Sequence, residues 1–151
     1  MVGKTTNPNL IKLTEEYQER LTHYIPFEVQ TIPELKNTKH LSRQDQTEKE
    51  GELILKQIDP NDDVILLDEK GKQFTSVNFS KLIEQKTLQS VKRVIFVIGG
   101  PYGFSEKVYA RANSLISLSS MTFSHQMVRL FFLEQLYRAM TILKGEPYHH
   151  E

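Results

Sequence analysis

A run of five apolar residues, Val94–Ile98, leads directly into a glycine-rich turn at residues 99–103. An uninterrupted and mostly β-branched run of this kind is typical of a strand buried on both faces, in a parallel sheet covered by helices. The glycines permit positive φ and let another chain or a ligand approach the backbone closely. In open α/β sheets, small molecules bind where a parallel strand ends in such a loop. The stretch therefore predicts an α/β fold with either a ligand site or a plain strand-to-helix turn at this point.

Two further apolar runs, 64–67 and 115–118, predict two more buried strands, and the segments around them carry helical spacing. Predicted helices cover about 10–24, 42–58, 76–83, 105–113 and 124–144, with a fourth strand at 27–32 and turns at 59–63 and 69–72. Helix caps are expected at Asn7 or Asn9, at Ser42 with Asp45, at Ser76 and at Gly145. The result is a parallel-sheet fold with helices on its faces.

Each of the three apolar runs ends in a loop, at Leu67, at Gly99 and Gly100, and over residues 118–124. If the strands are parallel neighbours, the three loops meet at one edge of the sheet. Backbone amides and carbonyls there can bind a planar base, with Leu67, Met121 and Phe123 as apolar walls. A Rossmann dinucleotide site is disfavoured, because no acidic residue follows the glycine-rich turn at the required spacing.

Composition narrows the class of protein. The 151 residues suit one domain, and 19 basic against 19 acidic residues leave no net charge, so an RNA site would have to be a local patch. The absence of cysteine excludes disulfides, thiolate metal sites and a cysteine nucleophile, and agrees with a cytoplasmic location. No apolar run reaches the ~20 residues that span a bilayer, and no signal peptide opens the chain.

The last predicted helix has apolar residues on every side, which predicts burial all round and, in a small domain, a partner subunit. Two polar pairs at i,i+4 spacing interrupt it, His125 with Arg129 and Glu134 with Arg138. They have two interpretations, as ordinary helix ion pairs or as a structural or catalytic network, and both remain open at this stage.

Four stretches together resemble the ribosomal RNA large subunit methyltransferase H family: Val-Ile-Gly-Gly-Pro-Tyr-Gly-Phe at 97–104, 119–129 with its Met-Thr-Phe-Ser-His core, Glu-Gln-Leu-Tyr-Arg at 134–138, and Pro-Tyr-His at 147–149. The resemblance spans essentially the whole chain. It implies a single SPOUT methyltransferase domain over residues 1–151, of α/β class, in which the C-terminal segment forms a trefoil knot. It also implies methylation of N3 of a pseudouridine in a 23S rRNA stem-loop of the ribosome.

The same resemblance assigns site residues. An S-adenosylmethionine site is implied at Leu67, Gly99, Gly100, Leu118, Ser119, Ser120, Met121, Thr122, Phe123 and Ser124. Residues around the target base are implied at His125, Arg129, Glu134, Arg138, Tyr148 and His149. The family acts as a homodimer with its active site between subunits. The family also begins with a complete apolar strand, of which Met1 and Val2 alone stand here, so we expect a misassigned start or absent residues, and a weaker sheet.

The chemistry leaves several alternatives open. His125 or His149 could take the proton from N3, and Arg129 or Arg138 could hold the resulting negative charge. RNA contacts are expected from Tyr148 by stacking and from Arg129, Arg138, Lys144 and the histidines. No metal is implied, because no carboxylate–histidine cluster has ligand spacing. Two other functions stay possible: a knotted enzyme that methylates a tRNA ribose 2′-hydroxyl, and a ribosome-associated protein that binds a nucleotide without catalysis.

Overall fold

Three strands form one sheet in the order β2-β1-β3, where β1 is Asp63–Gln73, β2 is Val94–Ile98 and β3 is Ser114–Ser117. The computed structural model describes residues 1–89 and 91–150. Strands β1 and β2 are parallel, with Asp63 opposite Val94 and Leu67 opposite Ile98. The three predicted apolar strands and the α/β fold class are therefore confirmed.

Five α-helices lie in the described part of the chain: α1 (Pro8–Thr22), α2 (Arg43–Leu55), α3 (Ser76–Leu88), α4 (Glu106–Arg111) and α5 (Met127–Lys144), with one turn of 3-10 helix at Thr38–His40. The predicted caps at Asn7 and at Ser42 with Asp45 are confirmed, the latter as a capping box. The cap predicted at Ser76 is wrong by one residue. The Thr75 hydroxyl accepts the N–H of Asn78 at 3.2 Å, so α3 already begins at Ser76.

The chain forms two compact units, and each draws on three separate stretches of sequence. The first unit consists of Met1–Lys4, Gln30–Lys72 and Val91–Ser117, and the second of Thr5–Val29, Gln73–Ser90 and Leu118–Glu151. The sheet and the glycine turn belong to the first unit, and the predicted residues around the target base all belong to the second. The single SPOUT domain over the whole chain, and its knot, stay predictions of the family resemblance.

The turn predicted at 69–72 is wrong, because β1 continues through it to Gln73. Gly71 explains the difference. A Cβ on Gly71 would lie 2.6 Å from both the Cα and the N of Ile116, so the backbones there approach more closely than any side chain allows. Glycine is needed here because two backbones come close together, although in the sequence alone a glycine at this position indicates a turn.

The strand predicted at 27–32 is also wrong. Pairing in this segment is a single parallel bridge between Ile32 and Val2. Pro26 and Pro33 flank the segment, and a proline offers no N–H to a neighbouring strand. Val2 is held on both sides, because its N–H donates to Ile98 O at 3.1 Å while the N–H of Gly3 donates to Ile32 O at 2.9 Å.

The core of the first unit joins the sheet to α2 and α4. Its buried members are Val2, Ile32, Ile54, Val64, Leu66, Val97, Phe104 and Val108. Gly51 allows the two helices to pack, since a Cβ there would press on Ser105 at the start of α4, 3.1 Å from its Cβ. This packing holds α4 directly behind the glycine turn that precedes it.

The second unit is built on α5, which packs against α1 and α3. Its buried residues include Phe132, Leu133, Leu136, Ala139 and Met140, and the Phe132 ring meets the ring of Phe79 edge to face at 6.4 Å. The helix begins at Met127, three residues later than predicted, and ends at Gly145 with φ +68°, as predicted. Within a single chain, α5 is not buried on every side, because 41% of Phe131 is exposed.

Among residues 1–89 and 91–150, no helix combines the length and the apolar character needed to cross a membrane. In the same part of the chain, no three His, Cys, Asp or Glu side chains form a group that could hold a metal ion.

Candidate active site

The carboxylate of Glu134 is the centre of a polar cluster in the second unit. Its Oε1 accepts hydrogen bonds from Arg138 Nη2 and, at 3.1 Å, from the Tyr148 hydroxyl. Its Oε2 accepts from Gln135 Nε2 at 2.7 Å. The predicted Glu134–Arg138 pair is therefore present, and both side chains are largely shielded from solvent. Because three donors surround Glu134, it serves as an anchor for its neighbours.

Arg138 is the charged group of this cluster. The hydrogen bond to Glu134 raises the pKa of Arg138, so the guanidinium stays charged. The same guanidinium lies 4.8 Å from the centre of the Tyr148 ring, a cation–π contact. Arg138 is thus fixed from two sides.

Tyr148 and His149 bring the C-terminal tail onto α5. The Tyr148 ring meets the Tyr137 ring edge to face at 4.9 Å, and burial raises the pKa of Tyr148, so its phenol stays protonated and able to donate. His149 Nδ1 lies 3.4 Å from Arg138 Nη1. Because arginine can only donate, Nδ1 is the acceptor, and the neutral ring carries its proton on Nε2.

His125 and Arg129 do not form the helical pair that their spacing predicted. His125 lies in the turn before α5, outside the helix, because α5 begins at Met127. Arg129 is 1% exposed, and its Nη1 donates to the Thr5 hydroxyl at 2.9 Å. This contact ties the start of α5 to the segment that leads into α1.

The glycine turn of the first unit is a tight four-residue turn in which the N–H of Gly103 donates to Gly100 O at 3.2 Å. Leu67 stands beside its start, because Leu67 pairs with Ile98 across the sheet. Leu67, where the pairing of β1 with β2 ends, therefore lies beside the glycine turn, although β1 itself continues to Gln73. Gly99 and Gly100 are partly buried, and a Cβ on them would meet the Phe104 ring and Glu50, so a flat aromatic base beside Leu67 would contact their peptide groups.

The third predicted loop, residues 118–124, belongs to the second unit. Within it the Ser119 hydroxyl accepts the N–H of Met121 at 3.0 Å, and the Phe123 ring packs on the Phe131 ring at 5.1 Å. Met121 is 72% exposed. The joining of this loop with the other two in one cofactor site stays a prediction.

Comparison with known proteins decides the family. A family model described as "Predicted SPOUT methyltransferase" matches residues 1–149. Ribosomal RNA large subunit methyltransferase H of Parabacteroides distasonis is 60% identical over 151 residues, which cover 100% of this chain and 96% of that protein. The protein of the same name from Christiangramia forsetii is 62% identical over 149 residues, 99% of this chain and 95% of its own length. The chain belongs to this SPOUT methyltransferase family. The resemblance stated from the sequence and the assignment to the RNA methyltransferases are thereby confirmed.

Several contacts of this family member were missed by sequence reasoning. Tyr17 and Tyr137 lie at apolar positions of the predicted helices at 10–24 and 124–144, yet the Tyr17 hydroxyl lies 3.1 Å from that of Tyr148, and Tyr137 supports the Tyr148 ring. Glu50, a charged residue of the predicted helix at 42–58, is 4% exposed and lies against Gly100. A tyrosine at an apolar spacing and a glutamate followed by glycine were the available signals.

If the glycine turn holds the S-adenosylmethionine site predicted from the family resemblance, Gly100→Ala should weaken binding of this cofactor about 5- to 150-fold, the equivalent of an overpacking cost of about 1–3 kcal/mol. The added Cβ would lie 2.7 Å from the buried Glu50 Oε2, so the glycine turn or the Glu50 carboxylate must shift, and a shifted turn would displace the backbone predicted to contact the cofactor. Titration calorimetry measures the change. Adding Glu50→Ala to this variant should restore most of the affinity, and Glu50→Ala alone serves as the control. Unchanged affinity in Gly100→Ala would contradict this account of the turn.

Proposed function

We propose that this chain transfers a methyl group from S-adenosylmethionine to N3 of a pseudouridine in a 23S rRNA stem-loop of the large ribosomal subunit. The observation that carries the proposal is the cluster of Glu134, Arg138, Tyr148 and His149, a fixed cation beside hydrogen-bond donors, in a member of this family. A ribosomal substrate would place the activity in the cytoplasm.

The reaction sets two requirements for the protein. The N3–H of a uracil-type base is weakly acidic, with a pKa of roughly 9 to 10, close to that of a tyrosine hydroxyl. Its nitrogen lone pair is delocalised until that proton leaves. A group must therefore accept the proton, and another must stabilise the negative charge that spreads onto the neighbouring carbonyl oxygens. S-adenosylmethionine, when bound, supplies an electrophilic methyl group on a sulfonium centre.

The geometry supports one division of these roles among the site residues. Arg138, held by Glu134, would stabilise the negative charge on a carbonyl oxygen of the base. His149 carries its proton on Nε2 because its Nδ1 accepts from Arg138, so it would donate a hydrogen bond to a carbonyl. This arrangement favours His125 over His149 as the proton acceptor. Arg129 is engaged with Thr5 and buried, which favours Arg138 over Arg129 as the catalytic cation.

The cofactor would use Leu67, the glycine turn that follows β2, and the loop at 118–124. Leu67 would supply an apolar wall, and the peptide groups of Gly99 and Gly100 would supply backbone hydrogen-bond groups, for the flat adenine of S-adenosylmethionine. The loop residues Leu118, Ser119, Ser120, Met121, Thr122, Phe123 and Ser124 would complete the site. Much of the rate enhancement would come from aligning the methyl group with N3.

The active form would be a homodimer with its active site between the subunits. The support is apolar surface that a single chain leaves open on and beside α5, at Phe131 (41% exposed) and Met121 (72% exposed). Since the chain has no net charge, we propose that free RNA binds weakly and that the shape of the assembled ribosome contributes to recognition.

The test combines calorimetry with mapping of the product. We expect the purified protein to bind S-adenosylmethionine, to sediment as a dimer, and to place one methyl group on a 23S rRNA pseudouridine of unmodified ribosomes, read by nucleoside mass spectrometry. Isolated stem-loop RNA should react far more slowly. A 2′-O-methylated tRNA nucleoside would identify the tRNA enzyme instead, cofactor binding without turnover would identify a binding protein, and full activity of a monomer would overturn the shared active site.

A further inference from the structure

Tyr17, on α1, contacts the catalytic cluster from a helix that contributes none of the residues assigned to it. Its hydroxyl oxygen lies 3.1 Å from the hydroxyl oxygen of Tyr148, in a partly buried position. The Tyr17 ring also meets the Tyr137 ring edge to face at 5.8 Å. The side chain is thus fixed by ring packing, and its hydroxyl points to the tail.

The direction of the hydrogen bond follows from counting protons. Tyr148 has one hydroxyl proton, and it donates that proton to Glu134 Oε1 at 3.1 Å. The contact between the two tyrosines must therefore be a donation from Tyr17 to the Tyr148 oxygen. The three groups form a directed chain, Tyr17 to Tyr148 to Glu134, and hydrogen bonds in such a chain strengthen one another.

We infer that Tyr17 is a positioning residue for methyl transfer, which acts by holding the Tyr148 hydroxyl on Glu134. Tyr148 in turn packs on Arg138 and precedes His149, so its placement sets the positions of the two groups proposed to contact the base. Tyr17 acts through Tyr148 and does not itself contact the reacting atoms. This inference rests on the proposed function.

A second tyrosine of the same unit offers a matched control. Tyr24 donates a hydrogen bond to Glu146, also in the tail, and its ring meets the Tyr137 ring at 5.7 Å. Tyr24 therefore holds the tail without contacting Tyr148, Glu134 or Arg138 in any of these interactions. If Tyr17 merely fastens the tail, Tyr17→Phe and Tyr24→Phe will behave alike. If it positions Tyr148, Tyr17→Phe alone will affect the chemical step.

The experiment compares Tyr17→Phe, Tyr24→Phe, Tyr148→Phe and the Tyr17→Phe/Tyr148→Phe double variant. We expect Tyr17→Phe to lower kcat for ribosomal RNA about 5- to 10-fold, the loss of about one hydrogen bond, with KM and cofactor affinity changed less than about twofold. Tyr24→Phe should change kcat less than about twofold. In the Tyr148→Phe background, Tyr17→Phe should have no further effect on kcat.

A readout independent of activity separates this inference from the proposed function. In the NMR spectrum of protein labelled at the tyrosine ring Cζ, the Tyr148 resonance should shift in Tyr17→Phe and stay in place in Tyr24→Phe. If the wild-type protein transfers no methyl group but the Tyr148 resonance still shifts in Tyr17→Phe, the proposed function is overturned and the hydrogen-bond chain stands. An unmoved Tyr148 resonance, equal kcat in both single variants, or a full additional loss in the double variant would overturn the inference.

Discussion

Arg138→Ala is expected to lower kcat for methyl transfer to ribosomal RNA about 100- to 1,000-fold, the effect of removing one preorganised charge-stabilising donor. The guanidinium joins Glu134, the Tyr148 ring and His149, so its removal eliminates the charge and also loosens the tail. The affinity for S-adenosylmethionine should stay within about twofold, because the proposed cofactor residues do not include Arg138. Single-turnover kinetics and calorimetry measure the two quantities separately.

Two variants make the Arg138 result specific. Arg138→Lys keeps a positive charge near Glu134 but loses the planar fork, so it should recover a small part of the activity. Arg20→Ala is the matched control, since Arg20 also pairs with a glutamate one turn away, Glu16, and lies over the Tyr17 and Tyr137 rings. We expect it to change kcat less than about threefold. Loss of cofactor binding in Arg138→Ala would contradict the roles assigned here.

Gly71→Ala should destabilise the first unit by about 3 kcal/mol, at the upper end of typical overpacking costs. The new Cβ would lie 2.6 Å from backbone atoms of Ile116, and backbone cannot rotate away as a flexible side chain can. Strands β1 and β3 would have to separate locally. Urea unfolding, followed by circular dichroism, measures the loss of free energy of unfolding.

Gly145→Ala provides the contrast for Gly71→Ala. Gly145 has φ +68° and open space around it, so its substitution adds no clash and costs about 1–2 kcal/mol from the left-handed backbone alone. Gly71 has the opposite combination: its backbone conformation is one that other residues adopt, but there is no space for a Cβ. If both variants lose the same free energy, close approach of the strands is not what requires glycine at position 71.

Local patterns were sufficient for most of the fold. Apolar runs at 64–67 and 94–98 became β1 and β2, and the Ser42–Asp45 pair became a capping box, because each depends on neighbours within a few residues. Residues 68–73 could not be predicted as strand, since a glycine that admits a neighbouring backbone has the same local signature as a turn. The strand predicted at 27–32 is wrong for a related reason, because the pairing of this segment depends on a partner far away in the sequence, Val2.

The contacts of the candidate site likewise separate into those that local spacing predicts and those that depend on distant residues. Glu134 and Arg138 are one helical turn apart, so their contact followed from spacing. Tyr17 and Tyr148 are 131 positions apart, and no periodicity in either segment connects them. The tautomer of His149 likewise depends on where the tail meets Arg138. Residue types and family resemblance named the participants, whereas the hydrogen-bond directions required coordinates.

The division of the polypeptide between its two units has a consequence for how it is made. Six successive segments alternate between them, so neither unit exists as an uninterrupted piece of chain. During synthesis, the N-terminal tetrapeptide and β1 must wait for Ser117 to emerge before the first unit has all its parts. Contacts between such distant segments close slowly, and a half-finished chain exposes apolar strands in the meantime. A nascent-chain series of increasing length should therefore acquire protease resistance late and abruptly, with no early stable fragment.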